Sequence, residues 1–440
     1  MSANEPFTPG TLVRCQRRRK WGRKVLGTPF YSSTDKALQP LAIFFPLCRI
    51  LVMKNFTYHN PTKIVFGQGT LDQIGAEAAP YGKKALYIYG KGSIKQNGIY
   101  DKTVASLQSA GIELVEFGGV KANPVLSHAH EGIALAKREK VDMVIAVGGG
   151  SVLDEAKAIA AGAVMEIDIW EFYTRRYTLK GALPLLTVLT MAAAGSEMNG
   201  GTVLTNEETQ EKLGLGDPHL FPKVSIMDPT TLVTVPANQT AYGAVDAVTH
   251  LLEGYFTQEN TYTPIQDRYV EGIVRTITEI TETQQKNPTD LTARATFMWA
   301  ATLAWNGLAP SGIGTWALPN HLIGHSMSAL HDTPHGASLS ISLSGWMPWY
   351  AEHGNAERGG GAARLAQLGK AVFDVSTAEA TIEAFRTWFR SIGSPTTLAD
   401  IGVDDAGLIR IAENIGHCAP YWGQPEYTAA FCEMVLRRCR

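Results

Sequence analysis

The chain has 440 residues, of which 45% are hydrophobic and 18% charged, and its formal net charge is -2 at pH 7. That length exceeds one ordinary core and predicts two domains of roughly 200 residues each. The balanced charge, with no long basic block in the folded region, argues against nucleic acid as a partner and leaves small molecules.

Residues 1–52 stand apart. They carry "RCQRRRKWGRK" (Arg14 to Lys24) and almost no acids, so they are read as a non-core extension: a leader, added sequence, or a start assigned too far upstream. The apolar run "ALQPLAIFFPLCRILVM" is broken by Pro40, Pro46 and Arg49 and is too short for a spanning helix, so no membrane association is expected. Five scattered cysteines (Cys15, Cys48, Cys418, Cys432, Cys439), an odd total without a C-x-x-C pair, argue against a disulfide framework and for a reducing, cytoplasmic setting.

Residues 53–236 alternate short apolar runs with helical periods. Strands are predicted at Lys63 to Phe66, Ala85 to Tyr89, Ile112 to Phe117, Met143 to Val147, Leu185 to Thr190 and Val224 to Met227. Helical segments fall near 70–80, 97–110, 126–139 and 151–164. The alternation predicts a Rossmann-like α/β domain whose mostly parallel sheet is covered on both faces.

Two loops of this domain suit a nucleotide. In "VDMVIAVGGGSVLDEAKAIA" a strand ends in glycines and runs into a helix, so Gly149, Gly150 and Ser151 are placed to hold a pyrophosphate against free N–H groups. Asp154, in the first turn, either accepts hydrogen bonds from the cofactor or complements the helix dipole. The loop "GKGSIKQNG" (Gly90 to Gly98) has no acid to grip a ribose 2′-hydroxyl; Gly90, Gly92, Ser93, Lys91 and Lys95 suit NADP(H). The competing reading of each loop is an ordinary tight turn or a solvated surface segment.

Residues 237–440 show long helical periods without period-two alternation and are read as an all-helical domain. In "GAVDAVTHLLEGY", Asp246 and His250 are four residues apart, within roughly 40° on one helix face. His321 and His325 repeat that spacing in "HLIGHSMSALHDTPH", which holds four of the eleven histidines. One carboxylate and several imidazoles suit Fe²⁺ or Zn²⁺, although any one histidine is more often a hydrogen-bonded structural residue.

The ordered set "GGGSVLD", "AGSEMN", "DAVTH" and "HLIGHSMSALHDTPHG" resembles the iron-containing (group III) alcohol dehydrogenase family, closest to its NADPH-dependent aldehyde reductase and butanol dehydrogenase branch. The resemblance runs from about Met53 to the C-terminus and implies a dehydroquinate synthase-like architecture. It assigns metal ligation to Asp246, His250, His321 and His335, and places His325 against the nicotinamide as a proton relay. His331 receives no role. It also implies that Gly149, Gly150, Ser151, Asp154 and the Gly90 to Lys95 loop contact the cofactor, together with Thr190 and Lys212. Ala194 departs from the pattern, since relatives commonly carry a threonine there. A homodimer is implied by the family alone.

The resulting expectation is a metal-dependent oxidoreductase passing hydride between NADP(H) and a small aldehyde or primary alcohol. The cationic residues between Asp246 and His335 are Arg268, Arg275, Lys286 and Arg294, which favours an uncharged, fairly apolar substrate. An NAD-dependent polyol dehydrogenase of the glycerol type, and a metal- and nucleotide-binding protein without turnover, are the alternatives.

Overall fold

The structure, a computed structural model, describes residues 53–259, 262–354 and 360–440, so the expected 1–52 extension lies outside the described residues. Among the described residues eight strands are formed: β1 (Lys63–Phe66), β2 (Lys84–Tyr89), β3 (Glu113–Gly118), β4 (Met143–Gly149), β5 (Leu185–Met191), β6 (Gly201–Asn206), β7 (Glu211–Gly216) and β8 (Val224–Met227). Six of them make one parallel sheet in the order β1-β8-β5-β4-β2-β3. Its helices are α1 (Ile74–Ala78), α2 (Ser93–Gln96), α3 (Ile99–Ser109), α4 (Leu126–Glu139), α5 (Gly150–Gly162) and α6 (Trp170–Tyr173).

The continuous apolar character of these strands has a direct cause. Along β2 and β4, Leu86, Ile88, Val144 and Ala146 enter one apolar core, while Ala85, Tyr87, Met143, Ile145 and Val147 enter another on the opposite face. Successive side chains point to opposite faces, and both faces are covered.

The six expected strands are present, with β3 shifted one residue onward and β4 and β5 extended to Gly149 and Met191. The sequence reading omitted β6 and β7, which pair antiparallel in a separate hairpin. Gln210, at φ 57°, takes the left-handed conformation that closes its turn. The hairpin packs on α5 and reaches the helical half.

The helical half begins at α7 (Ala237–Thr257) and continues with α8 (Pro264–Lys286), α9 (Leu291–Ala304), α10 (Pro319–His331), α11 (His335–His353), α12 (Gly361–Phe373), α13 (Ala378–Ser391), α14 (Asp405–Cys418) and α15 (Ala429–Leu436). Several starts are capped by a side chain that accepts a free backbone N–H. Asp290 accepts from Ala293, Thr377 from Ala380 and Asp404 from Gly407. α7 is buried on almost every side and forms the centre of this half. One apolar core runs without a break from Leu86 and Leu189 on the sheet to Val248, Met298 and Leu339 on the helices. Among the described residues, no helix is long and apolar enough to cross a membrane.

Candidate functional site

A cavity of about 990 Å³ opens between the C-terminal edge of the sheet and the helices. That volume is at the upper end of what ligand pockets occupy. Its sheet end is built by the turn between β4 and α5. A Cβ at Gly149 would lie 3.0 Å from Met191 Cβ, so the turn passes tightly against β5. Gly149, Gly150 and Ser151 line the cavity where the first N–H groups of α5 are free. Facing them, Gly195 sits at φ 61°, and a Cβ there would lie 3.1 Å from Trp305 Cβ. Glycine thus allows the "AAAGSE" turn to meet the end of α9.

Asp154 lines the cavity, but its carboxylate is already engaged. Oδ1 accepts from Ser196 Oγ at 2.6 Å and Oδ2 from the Val203 N–H at 3.1 Å. Beside it the buried Lys157 donates to Ser196 Oγ (2.7 Å), Asn199 Oδ1 (3.1 Å) and the Gly201 carbonyl (2.6 Å). These contacts make Asp154 a staple between α5 and the 196–203 segment.

Lys212, carried on β7, also lines the cavity and donates to Asn123 Oδ1 at 2.9 Å. Burial pushes its ammonium down to about 8, against the opposing pull of Asp246, Asp154 and Asp332. Gly90, Gly92, Ser93, Lys95 and Thr190 stand outside the cavity wall. Gly90 backs that wall, because a Cβ there would lie 3.7 Å from the Val120 carbonyl. Lys95 lies 4.7 and 4.5 Å from the centres of the Tyr89 and Tyr100 rings, and its ammonium is 3.2 Å from Glu116 Oε2. The loop lacks an acid of its own, yet the fold brings one to it from β3.

The other end of the cavity holds the histidines. One atom each from Asp246, His321 and His335 lies within 4.8 Å of the others. The Nε2 atoms of His321 and His335 are each 3.6 Å from Asp246 Oδ1, and His250 Nδ1 is 3.3 Å from the same oxygen. His250 stands outside that tightest trio, with its ring 4.3 Å from that of His321. His325 lines the cavity with its ring 4.9 Å from that of His335 and 4.8 Å from that of Trp422. His331 lies at the exposed end of α10.

The electrostatics of this cluster fit a cation. Asp246 Oδ1, His250 Nδ1 and His321 Nε2 are buried without a hydrogen-bond partner, which leaves them as free donors to a metal. Burial pushes His250 down to about 3 and holds His325 and His335 well below the usual imidazole range, with the Lys212 charge adding to it in the latter two. His321 differs. Burial opposes its charge, but the carboxylates of Asp246 and Glu253 outweigh that and raise it to about 9. Neutral imidazoles around a carboxylate are the form that ligates Fe²⁺ or Zn²⁺. Trp305, Trp316, Leu318 and Trp422 wall this end with apolar surface.

Spacing alone did not reveal Asn123, Glu116, Glu253 or Trp422. Glu253 carried the one available signal, seven residues beyond Asp246 on the same helix face.

Residues 61–229 match the family described as iron-containing alcohol dehydrogenase, and residues 240–427 match the C-terminal region of the Fe-containing alcohol dehydrogenase family. The probable NADH-dependent butanol dehydrogenase 1 of Bacillus subtilis is 43% identical over 82% of this chain and 93% of its own length. The NADPH-dependent aldehyde reductase YqhD of Escherichia coli is 36% identical over 81% and 91%. Among solved structures, NADH-dependent butanol dehydrogenase A of Thermotoga maritima superposes with a TM-score of 0.83 at 42% identity, covering 88% of this chain and 99% of that one.

Proposed function

We propose, from the premise that this chain belongs to the iron-containing alcohol dehydrogenase family, that it transfers hydride between NADP(H) and a small, uncharged aldehyde or primary alcohol. The observation carrying this reading is one cavity with a glycine turn suited to pyrophosphate at one end and convergent, unpartnered ligand atoms at the other. A bound divalent cation supplies Lewis-acid polarisation of the substrate oxygen, and the nicotinamide supplies hydride.

Asp246, His250, His321 and His335 would hold the cation. Gly149, Gly150 and Ser151 orient the dinucleotide through backbone N–H groups, while Lys212 brings a positive charge to the same cavity. Trp305, Trp316 and Trp422 exclude water and favour an apolar substituent on the carbonyl carbon. His325, held neutral by burial, would relay a proton between the substrate oxygen and water, one ring nitrogen taking a proton as the other releases one.

The NADP(H) preference rests on the Gly90 to Lys95 loop, which brings a lysine and a serine and no acid. A second reading, NADH, is favoured by Glu116, whose carboxylate engages Lys95. NADPH and NADH oxidation by butyraldehyde with metal-reconstituted wild type, His321→Ala and Glu116→Gln tests both. Turnover lost together with bound metal in His321→Ala supports the dehydrogenase reading. A wild-type preference for NADH that moves toward NADPH in Glu116→Gln selects the second cofactor. Stoichiometric metal without oxidation of either cofactor overturns the small-aldehyde reading.

A further inference from the structure

We infer that Glu253 is a positioning residue for the metal centre: it fixes the His321 ring so that Nε2 faces Asp246. This rests on the metal-dependent reading above. Glu253 follows Asp246 and His250 along one face of α7 and is 1% exposed. Its Oε1 accepts the His321 backbone N–H at 2.9 Å and His321 Nδ1–H at 3.1 Å, and its Oε2 accepts from Asn320 Nδ2 at 3.2 Å. Asn320 Oδ1 in turn accepts from Ser342 Oγ at 2.9 Å.

Two consequences follow from this geometry. A carboxylate can only accept, so the bond to Nδ1 keeps a proton there, and the proton a cation displaces is the one on Nε2, whose lone pair then faces Asp246. The anionic partner also makes the imidazole a stronger donor to a cation. His335 Nδ1, the nitrogen turned away from Asp246, is buried without a hydrogen-bond partner, so His335 lacks the support that His321 receives.

The network has a wider reach than one ring. Glu253 lies on α7 with Asp246 and His250, Asn320 lies on α10 with His321, and Ser342 lies on α11 with His335. One chain of hydrogen bonds therefore joins the three helices that carry all four proposed ligands. A competing role is structural: the His321 N–H is one of the free donors in the first turn of α10, and Glu253 caps it from outside. Capping alone would affect folding stability without altering metal affinity.

The test is Co²⁺ binding by metal-free, full-length protein, followed by visible d–d absorption, with Zn²⁺ affinity from chelator competition. Glu253→Gln keeps an acceptor and loses the charge; Glu253→Ala loses both. The expected result is a Zn²⁺ Kd raised about tenfold in the first and about a hundredfold in the second, with an altered Co²⁺ spectrum. Asn320→Ala leaves the Nδ1 contact in place and is expected to lower the melting temperature while keeping Kd within about threefold. The inference is overturned if Glu253→Gln binds both metals as wild type does, whatever its melting temperature, or if Asn320→Ala weakens binding as much as Glu253→Gln. If wild type and His335→Ala bind Co²⁺ equally, the metal centre itself is wrong, and the role of Glu253 falls with it.

Discussion

The side-chain amide of Asn123, in the loop after β3, donates to Asp332 Oδ1 at the end of α10 across 2.8 Å, while its oxygen accepts from Lys212. One asparagine thus ties the sheet, the hairpin and the histidine-bearing helix together. Asp332 has φ 50°, so Asp332→Gly removes the carboxylate without straining the backbone. With the Asn123 amide released and Lys212 less well held, cofactor affinity is expected to fall about fivefold, roughly 1 kcal/mol. Asp332→Asn, which still offers an oxygen, should recover most of it. Fluorescence titration with reduced cofactor checks both variants.

Gly336 sets how closely α11 approaches α7. A Cβ there would lie 2.1 Å from the Tyr242 carbonyl oxygen, and backbone cannot yield as a side-chain tip can. Gly336→Ala should push the start of α11 outward, moving the neighbouring His335 from Asp246. A stability loss of about 1–3 kcal/mol is expected, together with substoichiometric metal. Calorimetry and elemental analysis of the same preparation read both effects.

The proposed relay role of His325 predicts that proton transfer and metal retention can be separated. His325→Gln keeps a polar side chain of similar reach but cannot exchange a proton near neutral pH. Bound metal should stay at the wild-type level while kcat falls roughly a hundredfold. Steady-state kinetics beside metal analysis decide the assignment, and loss of the metal would move His325 into the ligand set.

Lys157 gives a pH signature. Burial pushes its ammonium down to about 8, against Asp154 and Glu197, while an unfolded lysine keeps its proton to about 10.5. Between those values the unfolded state binds more protons, so this residue's contribution to stability rises with pH. The stability deficit of Lys157→Met relative to wild type should therefore grow from pH 8 to pH 10. Lys212 shares that window, which is why the comparison is with wild type and not with the absolute curve. Urea melts at a series of pH values measure it.

Much of this arrangement could be read from spacing. Strands buried on both faces appear as unbroken apolar runs, and the glycine turn is local, so Met143 to Ser151 was legible without any partner. Asp246 and His250, one turn apart on α7, were legible for the same reason. The hairpin was not, because the buried positions of "GTVLTN" and "EKLGLG" include Thr202, Thr205, Glu211 and Lys212, so burial there leaves little apolar contrast in the sequence. Pairs such as Asn123 with Asp332, 209 positions apart, have no periodicity to betray them. Lys95 illustrates the cost: its loop lacks an acid in sequence, while Glu116, 21 residues on, reaches it in space.

The uninterrupted apolar core from the sheet to α7 and beyond has a thermodynamic corollary. A chain cut at residue 236 would leave two fragments each exposing half of a shared interior, and neither is expected to fold alone. The described region should melt as one cooperative unit. A ligand that binds on the sheet side of the cavity is then expected to protect the distant histidines from unfolding as fully as the strands it touches.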